Sequence, residues 1–498
     1  MKQKFLQWSV VLVASVLAVS VVSAQETNEV EQLRKELREM RERMQSLEQK
    51  LGGIEAKSVA PVAVTVEPAL PASSAWKPGD PVRVTKGGSY MDISLDGLFA
   101  AGGSTANDIE SGTQTGGHDP NQRGFTVQNV ELTLSGAVDP YFRGQGNVVL
   151  QIDSGGESFL ELEEMYAETT SLPGNLQLKA GQYFTEFGRL NQQHPHSWAF
   201  VDQPLVNGRF LGGDGLRNPG VRLSWLVPTP FYSELFLSVQ NSQGETAASF
   251  RSAGGGHGGE VPEGLPFGYR HPDNDRGVRH VTDMLFTPRY AMSFDVTDSQ
   301  TLLVGASGAF GPNANGSTGD TMTQIYGVDL YWKWKPSDGQ GGFPFVSFQT
   351  EAMLRRYELG SFDWDEDGDG LVSAGEVVDV GTGLPAILNG ETLTDYGLYS
   401  QLLYGFRKGW VAGVRFDYVG SRKADYERLE LELAGDVLGR DPQRAQRWRV
   451  SPNLTWYPTE FSKVRLQYNY DDRRGFGDDH SVWLQFEFLL GAHAAHKF

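Results

Sequence analysis

The sequence predicts an all-β chain: a 16-stranded antiparallel transmembrane β-barrel with an N-terminal periplasmic coiled-coil helix. Three observations carry that prediction. Apolar and polar residues alternate with period two through most of the chain after about residue 88, giving each strand one greasy and one hydrophilic face. Short turns alternate with long loops along the same region, an asymmetry typical of bacterial outer-membrane barrels. After the N-terminus no stretch holds eighteen consecutive apolar residues, so any crossing of a membrane falls to strands.

Composition points the same way. The 498 residues include 60 glycines and no cysteine, and the formal net charge is −19. An acidic chain is a poor partner for nucleic acid. Without cysteine there are no disulfides, thiolate metal sites or thiol nucleophiles. A mean hydropathy of −0.37 is too polar for a bundle of membrane helices. The 11 Trp, 18 Tyr and 27 Phe suit a barrel with an apolar outer band and aromatic rims.

Taken in order, residues 1–24 read as a secretory signal peptide. Lys2 and Lys4 precede an apolar run from Val10 to Val22, which ends on Ser23-Ala24. Residues 25–57 form a heptad segment, with Val30, Leu33, Leu37, Met40, Met44, Leu47, Leu51 and Ile54 spaced alternately by three and four. Such a seam needs partner helices, so a homotrimer is expected, with a dimer left open. A single amphipathic helix lying on another surface is the competing reading. Residues 58–87, rich in Pro, Ala and Val, read as an extended linker. Residues 88–498 are the barrel domain.

Within it sixteen strands are expected, at about 90–99, 124–138, 141–153, 159–170, 175–185, 219–227, 231–241, 287–297, 301–310, 322–335, 343–358, 393–406, 410–422, 445–457, 462–474 and 480–490. Val130, Leu132 and Leu134 alternate with Glu131 and Thr133; Val464, Leu466 and Tyr468 alternate with Lys463, Arg465 and Gln467. Long loops are expected near 100–123, 186–218, 242–286, 359–392 and 423–444. An even strand count puts both termini in the periplasm, where the coil belongs. Tyr326, Trp332, Trp334, Trp410, Trp456, Tyr457 and Tyr468 suit interfacial girdles among the outer-membrane lipids.

The strand Leu176-Gln177-Leu178-Lys179-Ala180-Gly181-Gln182-Tyr183, continuing to Phe187-Gly188, resembles the phosphate-selective porin O/P family of outer-membrane channels. So do Leu216 to Leu223, Gly397 to Gln401, Val411 to Tyr418 and the terminal Phe498. The resemblance covers the barrel region, and Glu186 departs from the proline common at its position. It implies a water-filled channel for passive diffusion of small hydrophilic solutes or ions. Anions such as phosphate stay one open class, because the basic residues lining the family's phosphate pathway have no assigned counterparts in this chain. A structural barrel tethering the membrane to the periplasm or peptidoglycan through its coil is the alternative.

Candidate sites follow from these faces. Inward positions hold Arg143, Lys179, Arg222, Arg289, Lys333, Arg415, Arg449 and Arg465, together with Lys463. They face acids that include Glu131, Asp329, Glu351, Asp417, Asp471 and Glu487, so mutual pairing competes with a basic ladder for anions. Segment 186–218, with His194, His196, Trp198, Asp202, Arg209 and Arg217, is placed to fold inward and narrow a pore. Asp365-Glu366-Asp367-Gly368-Asp369-Gly370-Leu371-Val372-Ser373-Ala374-Gly375-Glu376 matches the twelve-residue EF-hand loop. A structural calcium ion is expected there, with ligands from Asp365, Asp367, Asp369, the Leu371 carbonyl, Ser373 and Glu376. No GxSxG elbow appears and the histidines fall in expected loops or at the C-terminus, so no enzymatic activity is expected.

Overall fold

A computed structural model describes residues 82–86 and 89–491, apart from 138, 252–265, 273–276, 316–320, 340 and 374. The signal segment, the heptad seam, most of the linker and Phe498 lie outside these residues. The chain divides into two units, Met1–Ala75 and Trp76–Phe498, and the second holds the barrel.

The barrel strands are β1 Ser89–Ser104, β2 Gly124–Ala137, β3 Phe142–Ile152, β4 Ser158–Thr169, β5 Leu176–Phe184, β6 Arg217–Leu226, β7 Tyr232–Asn241 and β8 Met284–Thr297. They continue as β9 Gln300–Pro312, β10 Met322–Trp334, β11 Phe345–Leu359, β12 Glu391–Arg407, β13 Trp410–Ser421, β14 Arg447–Thr459, β15 Ser462–Arg473 and β16 Gly477–Gly491. Each pairs antiparallel with its neighbour in sequence, and β1 pairs with β16 from Ser94↔Gly491 to Ser104↔Ser481, which closes the cylinder. All sixteen expected strands are present. Val82–Lys86, assigned to the linker by composition, instead forms a hairpin with the start of β1.

The alternation works as expected. On β15, Leu466 and Tyr468 are exposed while Arg465, Gln467 and Asn469 are buried. Outward Leu, Val and aromatic residues recur around the wall, among them Leu223, Leu237, Val328, Leu354, Leu402, Val414 and Leu484. Exposed apolar side chains on every side require an apolar solvent, so this wall is built for lipid. Trp410 stacks on Trp456 at 5.9 Å near the short-turn end, and Trp448 packs on Tyr470 at 5.2 Å near the other. The short turns are locally encoded: Asp139 Oδ1 accepts from the Tyr141 and Phe142 N–H groups, at 2.8 and 3.0 Å, and turns the chain before β3.

Long loops leave the opposite end and pack on one another. Tyr269, Trp364, Val377, Leu388, Tyr426 and Leu431 form an apolar cluster between the β7–β8, β11–β12 and β13–β14 loops. Val378–Asp379 pairs with Leu384–Pro385 and with Leu431–Leu433, so two of these loops share a small sheet. Beneath it, Asp395 on β12 joins Arg355 of β11 at 2.7 Å and Arg444 of the β13–β14 loop at 2.9 Å.

Candidate functional site

The segment between β5 and β6 turns into the barrel and crosses its lumen. Gly188 opens the crossing with φ +60, and a Cβ there would collide with the Glu351 carboxylate. That carboxylate accepts from the Leu190 N–H at 2.8 Å, while the Gly188 N–H donates to Ser307 at 3.0 Å, tying the start to β9 and β11. The chain then reaches β2 and β4 at His194, and β15 at His196 and Trp198. It ends in a short helix, α1 (Leu205–Leu211), against β11, β12 and β13. Phe187, Leu190, Trp198, Leu205, Phe210 and Leu211 form an apolar cluster inside the barrel. The expected constricting loop is therefore in the lumen, and the lumen at this level is packed.

Asp202 is the clasp. It is fully buried; its two oxygens take Arg415 at 2.7 Å, Arg449 at 2.9 Å, Gln467 at 2.9 Å and Asn469 at 2.8 Å, from three consecutive strands. Arg415 also holds Asp417 at 2.7 Å, and Arg449 holds Asp471 at 2.6 Å. Charges removed from water are tolerable here because each guanidinium is paired and hydrogen-bonded.

The other inward bases behave similarly. Arg465 donates to the Trp198 carbonyl at 2.9 Å and to Gln485 at 2.8 Å. Arg289 grips Asp329 through two bonds of 2.6 and 3.0 Å. Arg222 meets Glu186 at 2.5 Å, and Lys179 lies 3.6 Å from the same carboxylate and 4.2 Å from the Tyr166 ring centroid. Thus six of the eight candidate pore-lining bases sit inward and buried, five of them beside carboxylates and Arg465 among neutral oxygens. Arg143, paired with Glu168, keeps 59% of its side chain exposed, and Lys333 is half-buried over Phe345. Those two are nearer the short-turn end.

A second polar cluster lies where the segment meets β2 and β4. It depends on two β-bulges that the period-two reading misses. In the β3–β4 pair, Asn147 faces Glu164 and Val148 faces Leu162, leaving Glu163 as the extra residue. Glu163 and Glu164 therefore both point inward. In the β1–β2 pair Gln128 is the extra residue, and Gln128 and Asn129 are both buried. The signal is visible in Leu160-Glu161-Leu162-Glu163-Glu164-Met165-Tyr166, where the apolar phase slips by one. Beside it, His118 from the β1–β2 loop is buried. Burial, aided by the Arg217 guanidinium, pushes its imidazole down to about 3, so the ring is neutral. Burial pushes the nearby Asp214 carboxyl up to about 8.

The acidic loop between β11 and β12 carries the expected calcium residues. Single oxygens of Asp365, Asp367 and Asp369 lie within 4.8 Å of one another. Gly368 and Gly370 adopt φ +71 and +68, which the tight winding requires. The Gly370 N–H donates to Asp365, and the Leu371 N–H to Asp369 at 2.7 Å. Glu376 is not among the gathered carboxylates; it accepts from the Ser373 N–H at 2.5 Å. Leu371 is exposed.

No family model matches the chain. Among solved structures, the outer-membrane channel DcaP of Acinetobacter baumannii is 13% identical with a TM-score of 0.49, covering 82% of this chain and 99% of that one. The anion-selective porin of Comamonas acidovorans is 7% identical with a TM-score of 0.44, covering 80% and 100%. A protein of Aquifex aeolicus (strain VF5), described as an uncharacterized protein, is 31% identical over 402 residues, spanning 77% of this chain and 73% of its own length. With that identity across about three quarters of both chains, this protein belongs to the same family as the Aquifex aeolicus protein.

Proposed function

We propose that the protein is a porin-type channel of the outer membrane, passing small hydrophilic solutes or ions by passive diffusion. The observation that carries this reading is the polar inner wall of a sixteen-stranded barrel, narrowed by one inward segment clasped at Asp202. Sixteen strands enclose more space than a single layer of side chains fills. A lumen filled to this extent by the segment predicts small conductance. Planar-bilayer recording is the test: discrete steps are expected, smaller than those of an open barrel, inserting in groups of three if the coil assembles a homotrimer. Reversal potentials in phosphate and chloride gradients then read the selectivity. Silent bilayers would reject the channel. They would favour a structural barrel tethered through its coiled coil, a reading to which the packed lumen also lends support.

Calcium at the outer loop belongs to the same proposal. Asp365, Asp367 and Asp369 repel one another unless a cation neutralises them. Weak extracellular sites bind at about 0.1–1 mM. Calorimetry is expected to show one calcium site in that range, and calcium is expected to slow proteolysis within 360–390. Asp365→Ala with Glu376→Ala should abolish both effects; unchanged binding in that double variant would refute the site.

A further inference from the structure

We propose that Glu131, Glu163 and His194 bind a divalent first-row transition metal inside the barrel, where the inward segment meets β2 and β4. The three residues each offer one ligand atom, all within 4.8 Å of one another. His194 Nδ1 lies 2.7 Å from Glu163 Oε2 and 3.3 Å from Glu131 Oε2. Ligands about 2.0–2.2 Å from a zinc-like ion sit roughly 3.0–3.5 Å apart, so small shifts complete the site.

Four features point to an ion and not only to an ion pair. First, Glu163 is fully buried, and beyond His194 Nδ1 neither of its oxygens has an aligned hydrogen-bond donor. A buried carboxylate with so few donors is costly unless a cation completes its shell. Secondly, His194 Nε2 is 3.0 Å from Glu164 Oε2. A ring N–H donated to that carboxylate leaves the Nδ1 lone pair facing two carboxylates, the orienting arrangement found around metal-bound histidines. Thirdly, Glu131 is held from behind. Its Oε1 accepts from Thr133 at 3.0 Å and from Asn147, which turns Oε2 toward His194 and, at 3.1 Å, His196. Fourthly, the bulge at Glu163 aims two successive glutamates into the lumen, a departure from strand regularity that needs a use.

The chemistry selects the ion class. One imidazole and two carboxylates suit zinc, manganese or iron(II), whereas calcium and magnesium favour all-oxygen shells. A cavity lined by Glu163, His118, Gln193, Gln203 and Asp214 adjoins the site and gives it an approach. Bound there, the ion would fasten the inward segment to β2 and β4, a second anchor beside the Asp202 clasp on β13–β15.

The test uses full-length protein in detergent, carrying Asp365→Ala and Glu376→Ala so that the outer loop takes no ion. Elemental analysis of the purified protein and Co2+ titration after chelator treatment during refolding are read together. One equivalent per chain is expected, with the visible absorption of a nitrogen- and oxygen-ligated cobalt. Glu163→Gln and His194→Ala should each weaken binding by at least about 100-fold, and Glu164→Gln by about 10–100-fold with stoichiometry kept. His480→Ala, on an exposed ring, should change nothing. Heat-modifiable gel mobility checks that each variant is folded. Metal-depleted parent protein that takes up no Co2+ or Zn2+ at micromolar concentration would overturn the proposal. So would folded Glu163→Gln and His194→Ala variants that bind like the parent.

Discussion

Asp202→Ala is expected to raise the single-channel conductance and to destabilise the barrel by about 3–5 kcal/mol, the usual result of removing one partner from a buried ion pair. The side chain takes four donors from β13, β14 and β15. Removing it leaves Arg415 and Arg449 with their other carboxylates, Asp417 and Asp471, but with two guanidinium N–H directions unsatisfied in a dry site. It also frees the middle of the inward segment, which stays attached at its two ends through Glu351 and the apolar face of α1. Asp202→Asn keeps most of the hydrogen bonds and loses the charge, so its loss of stability should be smaller. Urea unfolding in detergent and bilayer recording check both effects. An Asp202→Ala protein with parental midpoint and parental step size would show that the clasp neither stabilises the barrel nor limits the passage.

The strands were legible because a lipid-facing wall enforces alternation more strictly than a soluble core does. Out-facing Leu466 and in-facing Gln467 cannot exchange places without one meeting the wrong solvent. The loop asymmetry was equally plain, and it placed segment 186–218 correctly between β5 and β6. How completely that segment fills the lumen was not legible. Its apolar residues, Phe187, Leu190, Phe210 and Leu211, bury themselves against single inward side chains such as Ile325, Met353 and Tyr399, scattered over distant strands. Nothing in a linear pattern links such partners.

The basic residues show a different limit. Period two identifies Arg415 and Arg449 as inward, but whether they meet water or Asp202 depends on a loop some two hundred residues away in the chain. The histidine–glutamate cluster escaped for a local reason. A strict alternation puts either Glu163 or Glu164 outward, and only the bulge turns both inward. The slip in apolar phase between Leu162 and Met165 is a sequence signal that a search for broken alternation would find.

Leu466→Arg is expected to cost about 2–4 kcal/mol, the range for a cation placed at the middle of a barrel's lipid face. Leu466 is 51% exposed and pairs across the wall with Leu454 and Leu484, also outward and apolar. It lies between two aromatic levels, Trp410 and Trp456 toward the short turns, Trp448 and Tyr470 toward the long loops. The Trp456 level, opposite Val464, is two residues away and Tyr470 is four away, so a guanidinium there starts inside the apolar band and has to bend toward the short-turn rim. The next position offers an internal contrast. Gln467 faces inward and serves Asp202, so Gln467→Leu should loosen the clasp and raise conductance with a smaller loss of stability. The Leu466→Arg protein should instead keep parental conductance once folded, because its defect lies on the lipid side. Folding into phospholipid vesicles, followed by urea titration, separates the two. If Leu466→Arg folds with parental stability, the outward band is not facing hydrocarbon and the membrane orientation assigned to this wall is wrong.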